Sequence, residues 1–310
     1  MTIAPCRSLS GTEIFTLAQF TLVGCLVCVG NLLTVVAVYR TEALRTTPNM
    51  YIVSLACSDF LTGLTFPFYV SSIVPRVEDM LDMSLFNCAF RYGALYLILS
   101  ESFLCICAIS VDRYVYIKYP LHYHMYLSPK KTGLIILCTW CVSIVVGTST
   151  LLTSTWPGYC SFFHVVSKPF QLYFIMPFTA TVFVLNAIMY GLITREAIQH
   201  RQRIQARGSP MRSTIRYKST FRSVRLFIMV YGTFVVCWLP SAVVNILGNT
   251  NGVGSTTTSI SLSLGLLNSG MNFIIYSFMN KDFKKCFLKS SWQCKCSVVG
   301  SVNNVNVSSP

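Results

Sequence analysis

The sequence predicts an all-α membrane protein, a bundle of seven spanning helices followed by a short amphipathic helix, and three observations carry the prediction. Of 310 residues, 53% are apolar and 11% charged, where soluble chains average roughly 25% charged. Seven stretches reach the ~20 mostly apolar residues that cross about 30 Å of hydrocarbon as helix. None shows the short alternating segments of barrel strands, so helices remain as the way to satisfy a backbone away from water. No repeat at solenoid periods occurs, nor paired interrupted segments like those of inverted-repeat carriers.

The stretches are Ile14–Tyr39, Thr46–Val74, Tyr92–Val111, Thr132–Trp156, Pro169–Thr194, Leu226–Asn249 and Ser255–Asn280. Five contain no charged residue, the second holds only Asp59 and the third only Glu101. Of the 24 Lys and Arg residues, all but Arg7, Arg76, Arg91 and Lys168 fall after spans one, three and five or in the tail. By the positive-inside rule the N-terminus is outside and the tail cytosolic, as expected of a multi-pass plasma-membrane protein. The +14 formal charge therefore points to membrane lipids and away from nucleic acid, which calls for a basic stripe on one folded face. The chain reads as one domain over 1–310, with a short outer segment at 1–13 and a helix and tail at 281–310. Nothing in Met1–Leu9 has the form of a cleavable signal, so span one is expected to direct insertion.

Taken in order, span one carries Gly30-Asn31. A buried amide needs partners, so Asn31 should face other helices, either as packing or as part of a site. Span two carries Asp59 at mid-membrane, where an ionisable group marks a function; a small cation, a proton or a polar network with Asn31 would each suit it. Pro67 should bend the outer end of this span. Glu78, Asp79 and Asp82 then form an acidic outer loop, either a lip that attracts cations or a solvated turn. Cys88 opens span three. Its natural mate is Cys160 between spans four and five, since both face the oxidising side. In span three a 3.6-residue repeat sets Glu101 and Ser102 100° apart, with Ser102 expected towards Asp59 and Glu101 neutral against span four. Span three ends on Asp112-Arg113-Tyr114, where an acid and a base meet at the cytosolic boundary. They are an ordinary interfacial pair or a latch in which Asp112 holds Arg113 in one state and releases it in another.

Trp140 lies early in span four, and Trp156–Phe163 is an aromatic, turn-rich outer loop suited to a lid. Span five contains Pro177 and runs on as a basic extension to Gly208-Ser209-Pro210. Span six reads Phe234-Val235-Val236-Cys237-Trp238-Leu239-Pro240, a proline bend with a tryptophan beside it and a candidate hinge. Span seven holds Asn268, Ser269 and Asn272 where lipid-facing residues would be apolar. After it, Phe283, Cys286 and Phe287 suit one face of a helix lying on the membrane, and Cys286, Cys294 and Cys296 are acylation candidates.

These pieces resemble a rhodopsin-class (class A) G-protein-coupled receptor along nearly the whole chain: Gly30-Asn31, Leu55-Ala56-Cys57-Ser58-Asp59, Cys88, Asp112-Arg113-Tyr114, Trp140, Cys160, Cys237-Trp238-Leu239-Pro240, Asn272 with Tyr276, and the Phe283–Phe287 segment. The resemblance implies a receptor that answers an extracellular ligand by outward movement of span six and activation of a heterotrimeric G protein, with arrestin as a further cytosolic partner. It implies no cofactor beyond an allosteric sodium ion at Asp59, with Asn31, Ser102, Asn268 and Asn272 in the polar network around it. It gives Asp112, Arg113, Tyr114, Tyr190 and Tyr276 to the cytosolic switch, and Phe103, Phe234, Trp238 and Pro240 to the hinge.

Three departures stand out. Phe273 replaces the proline expected after Asn272. Tyr190 takes the family's tyrosine position only if Pro177 falls a turn early, since alignment on Pro177 puts Leu185 there. Thr220 stands at the start of span six with no acid for Arg113, which predicts an easily released arginine and raised basal activity.

The ligand is narrowed by exclusion. Ser255–Asn280 contains no Lys for a retinal Schiff base, and Leu95 stands where amine receptors place an aspartate. Asn245 and the short outer N-terminus are similar to adenosine receptors, although Gly265 and Leu266 replace their polar groups; the Asn-Ser-x-x-Asn-Phe form of span seven looks like some peptide receptors. The expected ligand is a peptide or a small non-amine molecule, in a pocket of Tyr92, Leu95, Tyr96, Leu99, Trp238 and Asn245. An enzyme is not expected, since His122, His124, His164 and His200 all lie in or beside connections and make no cluster in the spans. A non-signalling heptahelical receptor or scaffold is the alternative, and a transporter finds thin support in one central acid.

Overall fold

The computed structural model describes residues 10–70, 84–156, 158, 160, 165–206, 211–250 and 255–288. The acidic loop, Cys294, Cys296, parts of the 156–163 lid and the Thr220 side chain lie outside the described residues. Eight principal helices follow one another: α1 (Gly11–Arg40), α2 (Thr47–Val70), α3 (Leu85–Lys118), α4 (Pro129–Leu152), α5 (Met176–Ala206), α6 (Met211–Thr250), α7 (Ser255–Met279) and α8 (Lys281–Leu288). Short turns of helix at Glu42–Leu44, Tyr123–Tyr126 and Lys168–Phe170 join them. The fold is an all-α, seven-helix membrane bundle.

Among the described residues α1, α3, α4, α5, α6 and α7 each contain a stretch long and apolar enough to cross a membrane, and α2 has the length at 24 residues. In α2 Asn49, Ser54, Ser58, Asp59 and Thr62 are all buried. Its neighbours explain this: α2 packs on α1, α3, α4 and α7, so its polar face meets protein instead of lipid. The central strut is α3, which touches α2, α4, α5 and α6. Its buried side begins at Cys88 and ends at Ile117.

The ends of the helices follow local chemistry. Ser84 caps α3 by accepting from the Asn87 N–H, and Ser128 caps α4 by accepting from Lys131 with Pro129 in the first turn. The fourth span stops at Leu152, short of the predicted Trp156. Ser154 there bridges to Val166, and the Thr155 N–H donates to the Val165 carbonyl at 2.8 Å. Before α5 a π-turn at Gln171–Ile175 widens the helix just ahead of Pro177, which lacks an N–H to donate.

Candidate functional site

Three buried clusters run along α3 from its Cys88 end to its Arg113 end. At the N-terminal end of α3, the side predicted to be outer, Cys88 and Cys160 are bonded, with Cα atoms 5.8 Å apart, which ties the loop before α5 to α3. Arg91 is buried there, its Nη2 2.7 Å from the Cys160 sulfur and its guanidinium over the Tyr92 ring. Tyr92, Leu95 and Leu99 are buried on the same helix, and the Tyr96 and Asn245 side chains share a hydrogen bond. Six predicted pocket residues thus occupy the outer halves of α3 and α6. Arg91, read from the sequence only as an outer charge, joins them.

Below this lies an aromatic cluster. Phe103 meets Trp238 edge-on at 5.1 Å and Phe234 at 4.9 Å, while Phe183 lies 4.9 Å from Phe234. Trp238 has room because residue 265 is glycine: a Cβ there would fall 2.7 Å from the indole. The helix α6 is unbroken through Pro240, whose missing N–H cannot serve the Val236 carbonyl. Phe183 carried no motif of its own in the sequence; the polar Asn186, fully buried one turn further on, is the signal that marks this face of span five.

Beside the aromatic cluster sits Asp59, fully buried. It accepts from Asn272 Nδ2 at 2.8 Å and from Ser102 Oγ at 3.2 Å, and Ser58 Oγ lies 3.1 Å from Ser102 Oγ. Asn268 Oδ1 and Asn272 Oδ1 are buried with no hydrogen-bond partner among the described residues. A carboxylate, a hydroxyl and two amide oxygens in want of partners are hard donors that fit a small monovalent cation. Asn31 donates to the Val27 and Ser269 carbonyls at 2.9 and 3.1 Å and so ties α1 to α7.

Glu101 turns the other way, as the helical repeat requires. Ser54, Cys105 and Thr139 reach its Oε1 at 3.1–3.2 Å, and Ser143 reaches Oε2 at 3.2 Å. Trp140 Nε1 donates to Ser54 Oγ at 3.0 Å, so one carboxyl draws α2, α3 and α4 together.

At the C-terminal end of α3 Arg113 Nε donates to Asp112 Oδ2 at 2.8 Å, and its Nη2 donates to the same oxygen. The other carboxylate oxygen accepts from the Tyr123 hydroxyl at 2.7 Å. Burial, and the Asp112 carboxylate beside it, hold the Tyr123 phenol above its usual range, so it stays a donor at physiological pH. No periodic signal marked Tyr123, which lies on the four-residue helix after Pro120. Tyr114 is half-buried against the core, and its hydroxyl accepts from Lys118 Nζ. Tyr190 and Tyr276 are buried with hydroxyls that find no partner among the described residues. Tyr190 is inside the bundle, whereas Leu185 is 46% exposed. Cys286 is half-buried, its sulfur 3.4 Å from Thr41 Oγ1.

The sequence pattern of the 7 transmembrane receptor (rhodopsin family) matches residues 30–276. The chain is 29% identical to 5-hydroxytryptamine receptor 4 of Cavia porcellus, over 84% of this chain and 74% of that one. It is 26% identical to adenosine receptor A3 of Ovis aries, over 91% and 90% of the two chains. With the alpha-1A adrenergic receptor of Homo sapiens the identity is 27%, over 86% and 66%.

Proposed function

Because this chain belongs to the rhodopsin family of seven-transmembrane receptors, we propose that it converts binding of an extracellular ligand into outward movement of α6 and activation of a cytosolic heterotrimeric G protein. The observation that carries the proposal is the stacking of three parts along α3: an outer pocket, the Phe103–Phe234–Trp238 cluster beneath it, and Arg113 held by Asp112 at the far end. A ligand that favours one packing of the aromatic cluster shifts α6 only by its differential affinity for the two states. Release of Arg113 then offers a buried cation to the G protein. Tyr123 restrains the carboxylate, so the acid stays in place when the base departs.

The N-terminus is outside and the tail cytosolic, where arrestin would meet the same face. Asp59, Ser102, Asn268 and Asn272 would hold a sodium ion, which supplies positive charge for a carboxylate that has no cationic partner in its set. Two of the relatives are named for amines, yet Leu95 is a buried aliphatic residue where their counter-ion is expected, and the proposed ligand is therefore a peptide or a small non-amine molecule. Acylation is assigned to Cys294 or Cys296, since Cys286 turns its sulfur to Thr41.

A ligand screen read through a promiscuous G protein tests the proposal. A hit should lose its signal in Arg113→Ala while still binding. Binding with wild-type signal in Arg113→Ala would overturn the switch. Phe273 in place of the proline favours one other reading, a receptor that binds without signalling; recruitment of G protein by a bound ligand separates the two.

A further inference from the structure

We propose that Tyr231 is the clasp that holds α6 against α5 in the closed state, stacking its ring on Tyr190 and donating its hydroxyl to the Phe183 carbonyl. The clasp deepens the receptor reading and rests on it for its consequence in signalling. The two rings lie 4.7 Å apart at 7°, and the hydroxyl is 3.1 Å from the Phe183 oxygen. Phe183 and Tyr190 are seven residues apart, so one side chain of α6 grips two turns of α5. A helical carbonyl has a second lone pair to accept with, and the phenol meets no water at this depth.

The position on α6 makes the grip matter. Ser241, in the outer half, ties α6 to α7 by donating to the Ser261 carbonyl at 2.5 Å, and Pro240 lies beside that anchor. Residues 211–225 contain no Asp or Glu, so the cytosolic part of α6 brings no acid to Arg113. Tyr231 lies between these ends, three residues before Phe234 and seven before Trp238, at the spacing that keeps residues on one helical face. Swinging the cytosolic half of α6 outward about its outer anchor parts the stacked rings and leaves the half-buried phenol without an acceptor at a depth where lipid offers none. The restraint that charge does not supply at the base of α6 is supplied by an aromatic hydrogen bond halfway up.

The test measures α6 directly. Spin labels on genetically encoded residues at Lys130 and Arg225 leave the native cysteines untouched, and pulsed dipolar spectroscopy in nanodiscs reads the distance distribution. Tyr231→Phe keeps the ring and loses the hydrogen bond, and should raise the open-to-closed ratio about five-fold. Tyr231→Leu also loses the stack and should raise it about five-fold again. Basal G-protein activation, normalised to surface expression, should rise in the same order.

Unchanged distributions in both variants overturn the clasp, and should Tyr231→Leu fail to fold, Tyr231→Phe decides alone. If α6 moves outward and no G protein responds, the clasp stands and the signalling reading falls. If α6 stays put in the variants while G proteins respond normally, the clasp falls and the signalling reading stands.

Discussion

Asp59 and Glu101 are two buried acids about a helix-width apart in role, and their partners separate them. Asp59 keeps company with amide oxygens that lack donors, whereas four side chains converge on Glu101. Sodium should therefore act at the first. A tenfold excess of sodium over its dissociation constant adds about 1.4 kcal/mol to stability, seen as a higher melting temperature in sodium than in choline chloride. Asp59→Asn should erase that difference; an equal sodium effect in the variant would remove Asp59 from the site.

Glu101→Gln keeps shape and hydrogen-bonding capacity and should melt close to wild type, whereas Glu101→Leu strands the Ser54 donor and costs about 1–3 kcal/mol. Equal melting of the two variants would mean the carboxyl ties nothing together. Thr139 and Ser143 soften the loss because both hydroxyls also reach backbone carbonyls of their own helix at 2.8 Å. The sequence allowed the split between Glu101 and Ser102 to be read, because 100° per residue cannot aim both inward. It did not show Tyr123, whose position depends on how a connection folds back under α3.

At the scale of elements, Phe273 explains how α7 manages without the expected proline. Its ring fills the space over Gly30, where a Cβ would lie 2.6 Å from the nearest ring carbon, and it meets Phe287 of α8 edge-on at 5.6 Å. Phe283 is fully buried and stacks on Tyr276 at 6.2 Å. A ring locked between α1 and α8 thus takes the place of a backbone bend. Phe273→Ala should cost about 3 kcal/mol by leaving a cavity and should speed amide exchange in α8. Unaltered exchange there would show that α8 docks without it.

Gly265→Ala should likewise destabilise by about 1–3 kcal/mol, since the new methyl presses on an indole already held by Phe103; a wild-type melting temperature would show that Trp238 has slack. Proline, tryptophan and charge mark their elements in the sequence, whereas these glycines are legible only once their neighbours are known. Tyr231 sits between the two cases: its spacing from Phe234 and Trp238 was there to read, but its partners on α5 were not, because one of them is a backbone carbonyl.

For the whole molecule, the seven-helix fold was legible because lipid enforces a coarse rule, long apolar runs with charge at the ends, and the chain obeys it. Within α2 the buried polar residues Asn49, Ser54, Ser58, Asp59 and Thr62 face other helices, where a span can carry polar groups that lipid would not tolerate. The asymmetry of Lys and Arg predicts that an epitope added before Met1 is reached by antibody in unpermeabilised cells and one added after Pro310 is not; the reverse staining would invert the receptor. The ligand was not legible for a physical reason. Tyr92, Leu95, Tyr96 and Leu99 build an apolar wall that many ligands would fit.

Signal transfer through Arg113 is the claim on which the rest depends, and GDP–GTP exchange on purified heterotrimers measures it most directly. Receptor in nanodiscs, as wild type and as Tyr231→Leu to favour the open state, should accelerate exchange on at least one class of G protein over empty nanodiscs. Arg113→Ala added to either should abolish the acceleration. Exchange at the rate of empty nanodiscs for every class with both receptors, or acceleration that survives Arg113→Ala, would contradict the account.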